Sequence, residues 1–463
     1  MRVLNGRLAA LTLALMMALG GVQSVKAEGA AGDTAGDTAS ADTKITFEQA
    51  VQIALDKNIT LAQAQNAVAS SDASVRGAKL SFLPNLQLNT SGAQTYGRNF
   101  SETTGDVLNH NNQSVNAGIS SSVTLFNGMQ NVATLHEAEK NQSASTLDLT
   151  RAKQTAVFTV ASNYLSIITA QEQLEVQQQN LASLEAQEDQ IKKLVAAGAR
   201  AISDLYTQQA STAAARLAVV NAQHDLELGK VDLIQTLNLD PKVTYDFVAP
   251  KVNESAAMNF DLDSLTARAY AQRADLAAVS ARVDASAQGV KAANAGWWPT
   301  VSLSAGYNSS YSSATGLPFF NQFDQARGGS ISIGVSIPIF DRGQTSVEAQ
   351  KAKVEEDNTK LALAAEKQQV AVDVKRAYLN YQSAGAQLSA AQAQLTASNL
   401  AVSTSQQRYD AGAGTLVELT QARAAQVQAA SAVVSAKYGL VFQQALMSYY
   451  TGELDPAHVV LNG

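Results

Sequence analysis

The sequence states one unit twice, and that duplication constrains the fold more tightly than any composition figure. Ser71, Val75, Arg76, Phe82, Leu83, Pro84, Leu86 and Leu88 have counterparts 215 positions on in Ser286, Val290, Lys291, Trp297, Trp298, Pro299, Val301 and Leu303. Beyond the next strand the offset is 214. It pairs Leu125 and Phe126 with Ile339 and Phe340, Tyr164 with Tyr378, Gly198 with Gly412, and Leu205 with Leu419. One residue has been lost in a loop, where a deletion costs least. The duplication divides the chain into a first repeat over 44–240, a linker over 241–260, a second repeat over 261–452 and a C-terminal tail over 453–463.

Met1 to Ala27 carries Arg2 and Arg7, an apolar run from Leu8 to Leu19, and then Val25-Lys26-Ala27, which suits a signal peptidase. The run is short of the ~20 residues that span a bilayer, so a cleaved signal peptide over 1–27 is expected. Residues 28–43 repeat Gly, Asp, Thr and Ala with almost nothing to pack, and they read as a disordered leader. No later segment approaches 18 uninterrupted apolar residues, so any membrane-spanning part of the chain must consist of strands. The absence of cysteine rules out disulfides, thiolate metal sites and lipidation at the cleavage point. A net charge of −7 and no basic, aromatic-interleaved stretch argue against nucleic acid as a partner.

Four segments alternate with period two. Over 329–340, Ile331, Ile333, Val335, Ile337 and Ile339 share one face, with Ser330, Ser332, Gly334, Ser336 and Pro338 on the other. Over 115–126, Val115, Ala117, Ile119, Val123 and Leu125 alternate with Asn, Gly, Ser and Thr. Over 299–311, Val301, Leu303, Ala305 and Tyr307 do the same. The first strand, about 85–97, fits least well. Each run is near the ~9 to 11 residues of a tilted transmembrane strand. Alternation alone would favour a periplasmic sandwich burying the same faces, but aromatic residues sit at both ends of the strands. Phe82, Phe126, Trp297, Trp298 and Phe340 mark the helix-facing ends; Tyr96, Phe100, Tyr307, Tyr311, Phe319, Phe320 and Phe323 mark the far ends. Two aromatic belts around an aliphatic band indicate a wall between two water interfaces. Four strands cannot close a barrel, and an open edge in lipid leaves backbone groups unpaired, so two, three or four chains must assemble.

From about Met129 to Ala197 and from about Gln344 to Ala411 there is no proline and little glycine, which predicts two helices of roughly 100 Å each. Val160, Ile167, Leu174, Leu181 and Val195 keep a seven-residue register, as do Val374, Tyr381, Leu388, Leu395, Val402 and Tyr409. A heptad shared by both copies is a coiled-coil seam. The remaining Gln, Ala and Ser positions suit a ring of helices around a wet lumen, with a solid rod as the other arrangement. Each long helix ends at a glycine turn, Ala197-Gly198-Ala199-Arg200 or Ala411-Gly412-Ala413-Gly414, and a returning helix begins with an early acid, Asp204 or Glu418. These form helical hairpins over 129–239 and 344–451. Shorter helices are expected at 46–57, 61–80, 262–272 and 276–295.

Strand pairs opened by Phe-Leu-Pro and Trp-Trp-Pro, closed by Leu-Phe-Asn-Gly and Ile-Phe-Asp-Arg-Gly, and joined in duplicate to Ala- and Gln-rich hairpins resemble the TolC family of outer-membrane channels. The resemblance covers nearly the whole chain after residue 43. It implies a mixed α and β membrane protein in which long antiparallel hairpins build a coiled-coil tunnel in the periplasm. Four transmembrane strands per protomer would then contribute to a shared twelve-strand barrel of a homotrimer in outer-membrane lipid. It further implies a periplasmic adaptor (membrane fusion protein) and an inner-membrane transporter as partners, serving multidrug efflux or type I secretion. The hairpin turns at Gly198, Ala199, Gly412 and Gly414 would dock the adaptor. Asp204 matches a family gate acid, Tyr409 its partner, and Glu418 an acid of the constriction. Gly414 stands where some members carry a basic residue and Gln421 where a second acid would follow; these departures imply a ring with less charge and a gate held differently, with Arg200 as the candidate substitute.

Four scattered histidines, with no nucleophile elbow, phosphate loop or dinucleotide fingerprint, point to no enzyme and no cofactor. The rival readings are an exported soluble coiled-coil adaptor, which does not need four apolar strand faces, and a secreted hydrolase, which needs a clustered Ser, His and acid. Substrate identity is not written in a lumen of Gln, Ser and Ala.

Overall fold

The computed structural model describes residues 43–100, 105–109, 111–248 and 260–454. The expected signal peptide, the leader before Thr43, the middle of the linker and the tail beyond residue 454 lie outside the described residues. Strand β1 (Thr43–Ile45) leads into helices α1 (Phe47–Lys57) and α2 (Ile59–Leu80). Strands β2 (Gln87–Thr95), β3 (Arg98–Phe100), β4 (Val107–Asn109) and β5 (Asn112–Asn127) follow, then the long helix α3 (Gln130–Ala196) and its return α4 (Ile202–Thr236). After β6 (Tyr245–Phe247) come α5 (Leu262–Gln272), α6 (Ala274–Asn294), β7 (Thr300–Ser312), α7 (Phe319–Gln325), β8 (Gly328–Ser336), the second long helix α8 (Gln344–Asp410) and its return α9 (Leu416–Thr451).

Strands β2, β5, β7 and β8 form one antiparallel sheet in that order, with β2 and β8 at free edges. Register brings the apolar runs onto one face: Leu88 opposes Ile119, Ile119 opposes Tyr307, Leu303 opposes Ile333 and Val301 opposes Val335. That face is bare, with Ile331, Ile333 and Val335 all exposed. Two details depart from simple alternation. A bulge between Thr124 and Phe126 puts Phe126, not Leu125, opposite Val301, because an extra residue in one strand shifts the pleat by one. Strand β8 ends at Ser336, short of the expected residue 340, since Pro338 has no N–H to continue a ladder. Ile337, Ile339 and Phe340 are exposed beyond the strand.

The exit from each strand pair into a long helix uses two consecutive left-handed residues. These are Gly128 and Met129 before α3, and Arg342 and Gly343 before α8. Each long helix runs 67 residues, about 100 Å at 1.5 Å per residue. Along α8 the heptad positions Val374, Tyr381 and Tyr409 are buried, and a second row three residues on, Ala377, Ala384 and Ala391, is buried with them. Leu184 and Ile191 occupy the equivalent second row of α3. Spacing of three and four is the knobs-into-holes pattern, with alanine allowing close approach of the neighbouring helix. Helix α4 packs on α3, α3 on α9, and α9 on α8.

The linker is not wholly irregular. Its strand β6 pairs in parallel with β1 and closes a small sheet. The Tyr164 hydroxyl lies 3.0 Å from the Ile45 carbonyl and 2.6 Å from that of Val248, and its ring packs edge-on against Phe47 and Phe247. Here α1, β1 and β6 are held to the middle of α3 around a core that includes Val157, Val160, Ile167 and Leu233. A second core lies around Leu265, Val370 and Val374. Beside it, the buried Arg273 reaches Asp275 at 2.6 Å, Asp373 at 3.3 Å and Glu366 at 3.7 Å, and Arg151 of α3 reaches Asp275 at 3.2 Å. Burial pushes the Asp275 carboxyl up, but the Arg273 hydrogen bond and the charges of Arg151 and Arg273 outweigh it and hold it below the usual range. Among the described residues no helix is long and apolar enough to cross a membrane.

Candidate functional site

At the end of the long helices farthest from the sheet, two hairpin turns lie side by side. In the first, the N–H of Gly198 donates to the Val195 carbonyl at 3.0 Å and that of Ala199 to Leu194 at 2.8 Å. In the second, Gly412 donates to Tyr409 at 3.0 Å and Ala413 to Arg408 at 2.8 Å. Both are Schellman closures, and the glycines stand at φ +72 and +76, where a Cβ is disfavoured. Gly414 is constrained differently: a Cβ there would come within 3.1 Å of the Arg408 Cβ. The next helices begin at once, and Thr415 caps α9 by accepting from the Glu418 N–H at 3.2 Å.

The two tips are joined by an apolar cluster of Ile191, Tyr409, Leu416 and Leu419, with Val195 and Leu205 packed against it. Arg200 spans the gap from the first turn to the second. Its Nη2 donates to the Tyr409 carbonyl at 2.8 Å, and its guanidinium sits 4.2 Å from the Tyr409 ring centroid. Burial pushes the Tyr409 phenol up; Arg200 opposes this, while Asp204 and Asp410 add to it. The hydroxyl itself is buried without a hydrogen-bond partner. Asp204 is half-buried in the first turn of α4 and acts on Tyr409 through its charge, while Arg200 makes the direct contact.

Glu418 and Arg408 form an ion pair at 3.5 Å within the second tip, both about half exposed. Arg408 also donates to the Ala413 carbonyl at 3.3 Å, so the acid of this tip is answered by a base on the same hairpin. A further relay was not singled out from sequence: Arg423 donates to Gln406 at 2.9 Å, and Gln406 to Asp410 at 3.0 Å. Burial lowers the Arg423 pKa, against the opposing charge of Asp410. Buried Gln208 donates to the Leu184 carbonyl at 3.0 Å. Gln is so frequent on these helices that nothing in the sequence separates these positions from solvent-facing ones.

At the other end of the long helices, Phe82, Phe126, Trp297, Trp298 and Phe340 are all exposed around the base of the sheet. Trp298 is seated against Gly128, where an added Cβ would fall 2.7 Å from both the Trp298 Cβ and the Ala295 carbonyl oxygen. Among the described residues no group of three or more histidines and carboxylates is placed to hold a metal ion.

This arrangement has known counterparts. A family described as outer membrane efflux protein matches residues 50–239 and 265–452. The outer membrane efflux protein BepC of Brucella suis biovar 1 is 23% identical over 422 residues, covering 90% of this chain and 87% of its own length. Outer membrane protein TolC of Vibrio cholerae serotype O1 is 24% identical over 399 residues, covering 83% and 86%. The crystal structure of the outer membrane protein VceC from Vibrio cholerae superposes with a TM-score of 0.76 at 16% identity, over 88% of this chain and 96% of that one.

Proposed function

Because this chain belongs to the outer membrane efflux protein family, we propose that it is one protomer of a trimeric channel-tunnel that gives substrates passive exit across the outer membrane. The observation that carries the reading is a four-stranded sheet with both edges unpaired and an apolar face exposed, continuous with helices 67 residues long. Unpaired edges are not tolerated in lipid, and three copies supply twelve strands. The strands alternate in direction, so β8 of one copy meets β2 of the next antiparallel, and the ring closes without a mismatch.

In this reading the two halves of the chain are copies of one unit. The equal lengths of α3 and α8 and the matching left-handed pairs and glycine turns support it. The hairpins of three protomers line a periplasmic tunnel. Energy comes from an inner-membrane transporter coupled through a periplasmic adaptor, in multidrug efflux or type I secretion. The adaptor meets the turns at Gly198, Ala199, Gly412 and Gly414. Arg200, Asp204, Tyr409 and Glu418 form the gate and constriction, with Arg200 closing one hairpin tip onto the other. The base aromatics Phe82, Phe126, Trp297, Trp298 and Phe340 sit at the periplasmic membrane interface. The chain conducts and performs no chemistry, which fits its family.

Reconstitution into a planar bilayer tests this. Long-lived single-channel steps from detergent-extracted protein are expected. Protein that stays soluble without detergent and never inserts would replace the channel with the soluble adaptor reading.

A further inference from the structure

Helix α7 and its aromatic side chains serve neither the hairpin tips nor the pairing of the sheet. On β7, Tyr307 lies on the apolar face opposite Ile119, and no bulge interrupts the register beyond it. Ser309 and Tyr311, two and four residues further on, therefore share that face. Helix α7 folds back onto the same face. The Ser309 hydroxyl donates to the Phe323 carbonyl, and Ser309 is only 6% exposed beneath the helix. The Tyr311 ring lies 4.9 Å from that of Phe319, which stacks on Phe323 at 5.4 Å, and Gln322 accepts from the Ser312 N–H at 3.1 Å. The helix is thus fixed to the apolar side of the wall at its distal end and does not cover the polar side.

Its outer surface is mixed, with one apolar corner beside the exposed Asn321, Asp324 and Gln325. Phe320 stands edge-on to Phe319 and is 80% exposed, and Leu317 just before the helix is exposed as well. An exposed ion pair, Asp324 with Arg327 at 3.0 Å, occupies the other end. Strand β8 resumes at Gly328, three residues after the helix, so α7 cannot swing far from the wall. A short helix with one bare aromatic and a bare leucine at its start, and polar and charged side chains towards its other end, matches the boundary between acyl chains and headgroups.

We infer that α7 is an interfacial anchor for outer-leaflet lipid, with Phe320 and Leu317 in the acyl boundary and Asp324 and Arg327 at headgroup level. The inference rests on the reading that the apolar face of the sheet meets lipid.

The chain lacks cysteine, so Phe320→Cys and Ile333→Cys each create a single site for a nitroxide label. With the protein in phosphatidylcholine vesicles, relaxation by oxygen, which concentrates in the bilayer, is compared with relaxation by a water-soluble nickel chelate. Both sites should favour oxygen severalfold, with Ile333 the deeper. If Ile333 favours oxygen while Phe320 favours nickel, α7 is a water-exposed loop and the inference fails. If Phe320 resists both reagents, a neighbouring copy covers it, and the inference fails equally. If Ile333 itself favours nickel, the membrane wall is wrong and the anchor falls with it.

Discussion

In the proposed gate, Arg200→Ala should loosen the contact between the two hairpin tips, and the structure sets the size of the effect. The guanidinium makes two contacts with the other hairpin of the same protomer: a hydrogen bond of 2.8 Å to the Tyr409 carbonyl and a face contact 4.2 Å from its ring centroid. A hydrogen bond to a charged donor contributes about 1.5–3 kcal/mol, and a cation over an aromatic ring about 0.5–2 kcal/mol. Arg200 is only half-buried, which favours the lower ends, so the loss is ~2 kcal/mol per protomer, or a factor of about 30 in the closed-to-open ratio. If three protomers open together, the ratio falls by roughly four orders of magnitude. The readouts are open-state conductance in planar bilayers and cellular uptake of a bulky antibiotic that the outer membrane normally excludes. Arg200→Lys keeps the charge but loses the planar fork, and it should recover only part of the closure. The reasoning requires that opening separates the two hairpins of one protomer. If Arg200→Ala leaves conductance and uptake at wild-type values while Tyr409→Ala raises them, the hairpins move as a rigid pair and Arg200 is not the latch.

Other consequences are independent of that latch. Arg408 neutralises Glu418 on the same hairpin, so Arg408→Gln should increase cation preference and Glu418→Ala should reduce it; reversal potentials in a salt gradient read both. Asp275 is held below the ordinary aspartate range in the folded chain, so its contribution to stability is complete above about pH 4 and is lost as pH falls towards its lower folded value. Thermal unfolding across pH 2–5 should therefore show a steeper acid loss for wild type than for Asp275→Asn, and equal slopes would dismiss the Arg151–Asp275–Arg273 network as a pH-dependent support. Gly128→Ala places a Cβ at φ +67 and 2.7 Å from two neighbours, which should cost at least ~1–2 kcal/mol and lower the midpoint of thermal unfolding. An unchanged midpoint would mean that the strand-to-helix junction yields easily.

What the sequence made legible was whatever repeats with a period. The two long helices and three of the four strands carry period 3.5 or 2 over many residues, and the helices, β5 and β7 run near the stretches the pattern marks, while β8 stops short. Single-residue events escaped it. The bulge beside Leu125 and the halt of β8 before Pro338 each depend on one backbone position, and alternation passes through both without a visible break. The pairing of β1 with β6 joins residues some 200 positions apart in segments too short to show any pattern. The alanine rows at Ala377, Ala384 and Ala391 are buried because a neighbouring helix comes close, and alanine is too abundant on these helices to announce it. At the tip, Arg200 was suggested by the glycine at 414, but its grip on Tyr409 and the pairing of Glu418 with Arg408 depend on how two turns sit together in space.

The central claim is that three open sheets close into one barrel by joining β8 of each copy to β2 of the next. Disulfide trapping tests it directly, because the chain has no native thiol. Thr90→Cys on one edge is combined in turn with Ile331→Cys, Ile333→Cys or Val335→Cys, residues on the same face of the other edge. Ser304→Cys with Ser332→Cys, directly opposed inside one sheet, serves as the control for geometry and oxidation. The account predicts that at least one edge pair gives a covalent trimer on non-reducing gels, with nothing larger. Control pairs that oxidise fully while every edge pair stays monomeric, or that accompany a ladder running past three, would contradict it.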